Sequence, residues 1–390
     1  MTAVAPRGAR RKLGWDGVVA RLLARNQLLE RALRGREVDV VRDVCGIQAQ
    51  VATAAELAVG VRVEGATQAS VRDAVRERRT LVKTYGPRET LHLFPAGELG
   101  LWAAARRALG DPWFASADLD DSQAREVFAA VADALDGREL TREELAAAVA
   151  ERAGEWARPR FASTWADLIA TSAYAGVLCY AAPRGAKVTF ARPDQWAGGV
   201  EDVDPREALD EVVRRYLAAY GPAAHADFAR WFSPNHLSVK AARQLLEELG
   251  DEVEEVEVEG RRAWMLAADA EVPEEAAEPS VRLLPQYDCY VLGARLARER
   301  ILPPAAKKRV FSHGRGRWEG AAAVSVLLVD GVVAGLWDRR GTAARTRLRV
   351  EPVGALGAEH RRLLAAEADR LGAFWDTDVE VSVGRLDEED

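Results

Sequence analysis

Apolar positions recur along the chain at three- to four-residue intervals in groups, and each group ends in two short alternating runs. The first group predicts a helix over Gly17–Leu33, with Val18, Leu22, Leu29 and Leu33 near one face, and a second helix over Val38–Cys45. Thr53-Ala-Ala-Glu56 has the form of a capping box and would start a third helix running to Val61, with a fourth over Ala69–Arg79. Leu81–Tyr85 and Arg88–Phe94 read as strands around Gly86-Pro87. Short helices closed by a hairpin form the winged-helix pattern. It returns over Ser122–Leu135, a helix capped by Thr141-Arg-Glu-Glu144, Thr164–Gly176, and strands Val177–Ala181 and Lys187–Ala191 around Pro183-Arg-Gly185. It returns again over Pro205–Tyr220, Ala223–Phe232 and Leu237–Leu249, with strands Val253–Val258 and Arg262–Leu266 around Gly260.

After the acidic linker Ala267–Pro279 the pattern changes. Ser325–Val329, the Asp330-Gly331 turn and Val332–Trp337 alternate as a hairpin, and Thr346–Val350 and Val379–Val383 as further strands, with a helix over Ala358–Phe374 between them. The expected fold class is α+β, with tandem winged-helix (helix-turn-helix) domains and a C-terminal β-rich domain. The winged helices would occupy 1–110, 111–200 and 201–270, and the β-rich domain 281–390.

Charge changes this picture more than composition does. The whole chain carries a net −7, which argues against a polyanion partner, but the charge is segregated. Residues 1–110 hold 19 basic against 11 acidic side chains, 201–280 hold 8 against 20, and 282–350 hold 14 against 5. Two basic islands flank an acidic middle, which suits contact with a polyanion on part of the surface. Cys45, Cys179 and Cys289 are isolated and odd in number, so no disulfide framework is expected. The five histidines lack ligand spacing, so no metal is expected either. No apolar run is long enough to span a bilayer, and Met1–Gly14 is basic without an apolar core, reading as a disordered tail rather than a signal peptide. A cytoplasmic protein is expected.

Three local features carry candidate chemistry. Cys45-Gly-Ile-Gln48-Ala-Gln50-Val lies in the turn of the first helix-turn-helix, where Gln48 and Gln50, two apart in non-helical chain, point the same way. In Lys83-Thr-Tyr-Gly-Pro-Arg88-Glu-Thr90-Leu-His92-Leu-Phe, alternation puts Arg88, Thr90 and His92 on one face and Glu89, Leu91 and Leu93 on the other. That row suits phosphate contacts, with Lys83 on the neighbouring strand; the alternative is a buried His92 that satisfies a carbonyl. Arg339, Arg340, Arg345 and Arg347 crowd the tip of a C-terminal hairpin, and Lys307-Lys308-Arg309, Arg315 and Arg317 add charge nearby. Such a tip suits the minor groove and its phosphates; a solvated loop is the plainer explanation. Trp318 and Trp337 are candidates for stacking or for core, and Asp288 for bonding to backbone amides.

The chain resembles the AlkZ-like (YcaQ-related) winged-helix DNA glycosylases over nearly its whole length. The matching stretches are Arg21–Leu28, Gly46–Val51, Arg88–Ala96, Arg215–Pro222 with Ala226–Ala229, Leu283–Asp288 and Val329–Gly335; Gly293–Arg298 departs from the pattern. The resemblance implies tandem winged helices that cradle double-stranded DNA, and a catalytic Gln-φ-Gln signature falling on Gln48 and Gln50 with Ala49 between them. It also implies hydrolysis of the N-glycosidic bond of bulky N7-alkylguanine adducts, with unhooking of interstrand crosslinks, by a monomer that uses no cofactor. Two neutral amides suit that chemistry, because an alkylated guanine already carries positive charge and leaves without much acid help. Lys83 as a Schiff-base lysine, and Glu56 or Asp43 as a general base, are the rivals inside the site. The alternative function is a non-enzymatic winged-helix transcription regulator, since most winged helices are regulators.

Overall fold

In the computed structural model, residues 10–110, 119–162, 167–269, 277–313, 323–342 and 345–386 are described. Helices and sheets alternate as an α+β chain, the expected class, with elements the pattern did not announce, among them the helix Leu99–Arg107 and the strands Arg11–Leu13, Ile47–Gln48 and Leu140–Thr141. They fall into two units. One comprises Met1–Arg31, Arg214–Ala229 and Ser238–Asp390; the other comprises Ala32–Val213 and Arg230–Leu237.

In the first unit the expected tail is partly a strand. Arg11–Leu13 pairs in parallel with Val253–Val258, which pairs antiparallel with Arg261–Leu266. Alternation along three residues is too short to read from sequence. The chemistry is nevertheless there: Arg10 and Arg11 meet Glu255 and Glu254 of the acidic hairpin. The helix predicted over Gly17–Leu33 runs only from Trp15 to Arg25. The Asn26 side-chain amide donates to the Leu22 carbonyl (2.9 Å) and to the Ala219 carbonyl (3.1 Å), and Gln27 turns left-handed at φ 48°. Leu28 is then buried, whereas Leu33 is 77% exposed.

The C-terminal sheet orders Val281–Leu284, Val326–Val329, Val332–Thr342, Arg345–Pro352 and Val379–Val383. All neighbours are antiparallel except the last pair, which the helix Ala358–Trp375 connects. That helix buries Leu364, Ala368, Leu371 and Phe374, and each large apolar side chain removed from water contributes about 1.5–3 kcal/mol. Trp337 is buried and donates its indole N–H to the Leu284 carbonyl at 2.9 Å, so it belongs to the core. Asp288 caps its short helix by accepting from the Tyr290 amide at 2.9 Å, as expected. Trp318, Arg315 and Arg317 lie outside the described residues.

The second unit contains one six-stranded sheet. Its order is Ile47–Gln48, Leu91–Pro95, Leu81–Tyr85, Cys179–Tyr180, Thr189–Ala191 and Leu140–Thr141, with every neighbour antiparallel. The hairpins expected to close the first two helical groups thus share a sheet, joined where Lys83 pairs with Tyr180. The Thr141–Glu144 capping box forms as predicted, with the Glu144 amide bonded to Thr141 Oγ1 (3.3 Å) and the Thr141 amide to Glu144 (2.8 Å). The Thr53–Glu56 box does not form. The helix there is Ala52–Gly60 with Val51 as its uncapped N-cap. Glu56 instead accepts from Gln68 (2.6 Å) and Arg72 (2.9 Å), tying this helix to Gln68–Arg76. A core of Val127, Val131, Leu145, Val149, Phe161, Ile169 and Phe190 fills the later part of the unit.

Candidate active site

Local chain chemistry places the two glutamines. The helix Glu37–Asp43 stops where Cys45 and Gly46 both turn left-handed, at φ 58° and 86°; their amides donate to the Arg42 and Val41 carbonyls. A Cβ at position 46 would collide with the Phe94 ring, so glycine is required there on two counts. The chain then pairs for two residues with Leu91–Pro95, Ile47 opposite Leu93 and Gln48 opposite His92. The Ala49 amide donates to the Leu91 carbonyl at 2.6 Å. Ile47 and Ala49 are buried within 1% of full burial, which leaves Gln48 and Gln50 on the other side, as alternation predicts. Gln50 is exposed, while Gln48 is only 8% exposed.

Both amides are held. Gln48 Oε1 accepts from Arg88 Nη2 at 2.8 Å. Turned so that both of its ends find a partner, the Gln50 amide lies along Leu91, its oxygen accepting from the Leu91 N–H (3.0 Å) and its nitrogen donating to the Leu91 carbonyl (3.3 Å). In that orientation the nitrogen stands 3.1 Å from Nε2 of Gln48; both are N–H donors, so the two amides are neighbours without a hydrogen bond between them.

Arg88, Thr90 and His92 do come together, but not as an exposed row on a strand. The strand begins only at Leu91, and Pro87–Glu89 is a tight turn with Arg88 at φ 58° and Glu89 at φ 60°. Thr90 spends its hydroxyl on the Pro87 carbonyl at 2.9 Å. His92 is 2% exposed, with Nδ1 2.9 Å from the Thr90 carbonyl and Nε2 3.3 Å from Arg88 Nη2. The buried-carbonyl alternative is what the structure shows. Burial, with the Arg88 charge adding to it, pushes His92 down to about 3.

Lys83 is on the other face of the sheet. Residues paired across antiparallel strands share a face. Gln48, His92 and Thr84 make one row, and Ile47, Leu93 and Lys83 the opposite one. Lys83 Nζ lies 5.2 Å from the Tyr180 ring centroid, and burial lowers its pKa. It is therefore not beside the glutamines, where either a phosphate neighbour of the row or a Schiff-base lysine would have to stand. Glu56 is committed to Gln68 and Arg72, and Asp43 is exposed at its helix end.

Three participants have no role in the sequence reading, which only places Glu89 on the face opposite Arg88. The Trp231 carbonyl accepts from Arg88 Nη1 at 3.3 Å. Glu89 faces Arg106 (3.9 Å), His236 (3.4 Å) and the Asn235 amide (3.3 Å). Arg106 is 2% exposed, its guanidinium over the Tyr174 and Phe232 rings, and burial lowers its pKa to about 10. One signal was present in the sequence: Arg106 follows Leu99 and Trp102 at helical spacing, an arginine on an apolar face.

The hairpin arginines differ among themselves. Arg339 stacks on Trp375, its guanidinium carbon 4.2 Å from the ring centroid, and bonds Thr346 Oγ1 at 3.2 Å. Arg340 pairs with Asp338 (3.0 Å), and Arg347 with Glu380 (3.7 Å). The backbone of Arg345 pairs with Thr342, while its side chain lies outside the described residues. Among the described residues no group of three or more His, Cys, Asp or Glu is arranged to hold a metal, and no helix is long and apolar enough to cross a membrane.

Two tethered neutral amides, with no carboxylate joined to them in the bonds above, suit bond cleavage by orientation rather than by proton transfer. Comparison with known proteins supplies the reaction. The profile described as "DNA glycosylase AlkZ-like" matches residues 41–374, so the protein is a DNA glycosylase. The chain belongs to the AlkZ-like DNA glycosylase family. It is 36% identical over 335 residues to the interstrand DNA cross-link repair glycosylase of Streptomyces sahachiroi, covering 84% of this chain and 88% of that protein. The solved structure of the Streptomyces sahachiroi DNA glycosylase AlkZ matches with a TM-score of 0.84 at 31% identity, over 96% of this chain and 100% of that one. The non-enzymatic regulator is thereby set aside.

Proposed function

We propose that the protein hydrolyses the N-glycosidic bond of bulky N7-alkylguanine in double-stranded DNA and unhooks interstrand crosslinks, with Gln48 and Gln50 as its catalytic residues. The observation that carries this is the pair of side-chain amides 3.1 Å apart, one fixed by Arg88 and the other by the Leu91 peptide. Alkylation at N7 gives the guanine its positive charge before the enzyme acts, so the C1′–N9 bond breaks with its electron pair leaving on a neutral base, and the oxocarbenium-like sugar adds a water whose surplus proton passes to solvent. A carbonyl oxygen accepts two hydrogen bonds. Gln48 Oε1 takes one from Arg88 and has capacity for a second from the water. The negative ends of both amide dipoles stabilise the developing cation. A glutamine is no base at neutral pH, so unmodified guanine remains uncleaved.

On this reading the helical groups act as tandem winged helices at 1–110, 111–200 and 201–270, and the β-rich domain at 281–390 adds phosphate contacts from Arg339, Arg340, Arg345 and Arg347. The 36% identity to a crosslink glycosylase supports the crosslink assignment. The protein works as a monomer on cytoplasmic DNA, without metal or cofactor. The test is abasic-site formation on duplexes bearing N7-methylguanine, a bulky N7 adduct or a crosslink. Gln48→Ala and Gln50→Ala should each lower the single-turnover rate by about a hundredfold or more, the scale of a lost positioned dipole. Unchanged excision by both variants would sink the assignment.

A further inference from the structure

Arg88 and Glu89 are consecutive non-glycine residues in the left-handed region, at φ 58° and 60°. Each costs on the order of 1–2 kcal/mol, and such strain persists only where surrounding structure holds it. Here both side chains are held. Glu89 is gripped by Arg106, His236 and Asn235, while Arg88 reaches Gln48, His92 and the Trp231 carbonyl. The turn aims the guanidinium at one atom of the catalytic pair, Oε1 of Gln48.

The hydrogen bonds around His92 fix its role. The Thr90 carbonyl only accepts, so Nδ1 must donate to it. A guanidinium only donates, so Nε2 must offer its lone pair to Arg88. The imidazole is therefore the neutral Nδ1–H tautomer, used as an acceptor that steers Arg88. A protonated ring would have no lone pair to give and would set two cations 3.3 Å apart.

We infer that Arg88 is a positioning residue for this glycosylase, steered by His92 and the Trp231 carbonyl, and that it sets which end of the Gln48 amide faces the substrate. The inference rests on Gln48 being catalytic. An amide's oxygen and nitrogen ends are nearly the same shape, so packing alone does not choose between them; a donor fixed 2.8 Å from Oε1 does. The chosen end decides whether a water is accepted or repelled. Engaged in this way, Arg88 acts through the glutamine and not as the phosphate anchor that its position in the sequence suggests.

Excision and binding of a duplex carrying one N7-methylguanine, compared across four variants, separate these roles. Arg88→Ala should slow single-turnover excision by about ten- to a hundredfold, the usual cost of lost orientation, with DNA affinity within about threefold of wild type. The double variant Gln48→Ala/Arg88→Ala should be no slower than Gln48→Ala alone, because Arg88 has nothing left to position. His92→Gln keeps an acceptor near Arg88, whereas His92→Leu removes it; the first should excise about tenfold faster than the second. Multiplying losses in the double variant, or a Kd that weakens in step with the excision rate, would make Arg88 a phosphate contact and overturn the inference. Equal rates for the two His92 variants would remove His92 from it. If Gln48→Ala itself excises normally, the catalytic assignment fails instead. Should Arg88→Ala fold poorly by circular dichroism, Arg88→Lys carries the same test, since one ammonium cannot reproduce the two-pronged contact to Gln48 and Trp231.

Discussion

At the scale of single residues, the site is built by withdrawing charge chemistry from where it would be looked for. His92 is the clearest case. Its folded pKa of about 3 lies below the ordinary value of 6.5, and Arg88 is the charged group that faces it. The neutral ring therefore contributes stability that is complete above pH 6.5 and is lost as pH falls from there toward 3. At pH 5 the loss relative to neutral pH is about 2 kcal/mol, by the cost of protonating a buried imidazole. Urea midpoints at pH 7.5 and pH 5 should show this drop in the wild type and a smaller one in His92→Gln. An identical acid response in both would place the sensitivity elsewhere. Excision itself should show no histidine-like inflection between pH 6 and 8, since the ring stays neutral throughout that range.

At the scale of elements, helix and strand boundaries follow chemistry that the hydrophobic pattern only partly reports. The hairpin Val332–Thr342 and Arg345–Pro352 extends well past the predicted Trp337, because polar residues continue the ladder to its tip. The helix that follows Gln50 begins without a side-chain cap, and Glu56, expected to reach back to a capping Thr53, reaches across to Gln68 and Arg72. Glu56 is 7% exposed. Replacing it by alanine should cost about 1–3 kcal/mol, the penalty for unmaking a mostly buried charged hydrogen bond, and lower the urea midpoint. Capping boxes are worth less, about 1 kcal/mol, and a Thr53→Ala change should be nearly silent. Equal losses for Glu56→Ala and Thr53→Ala would restore the capping-box assignment. The acidic hairpin Val253–Val258 and Arg261–Leu266 is likewise not bare acid: Arg10, Arg11 and Arg262 meet Glu254 and Glu255.

At the scale of the whole molecule, the net −7 says little about DNA, because the acidic surplus is in part consumed by arginines within its own unit. Binding to duplex should therefore fall steeply with salt despite the negative total. Each phosphate contact contributes about 0.9 to the slope of log K against log salt. Arg339→Ala should flatten that slope by about one. Arg340→Ala and Arg347→Ala should flatten it less, since Asp338 and Glu380 already hold those side chains. A slope unchanged in all three would remove the hairpin from the DNA interface.

The sequence by itself determined what a short window can encode. Ile47 and Ala49 on one side of the chain with Gln48 and Gln50 on the other follows from a period of two. The Thr141 box, the hairpins and the α+β order follow from turn chemistry and alternation. Tertiary structure decided what depends on partners far away in the chain. The donor on Gln48 comes from 40 residues on, and the acceptor that steers that donor from 143 residues beyond it. Periodicity tells which face a side chain occupies, but not which distant strand covers that face. Lys83 accordingly fell opposite the glutamines, and three residues of an expected tail became a strand. Nor does sequence announce a left-handed turn at Arg88 and Glu89. Glycine marks such a turn by lacking a side chain, whereas here the conformation is held by the contacts those side chains make.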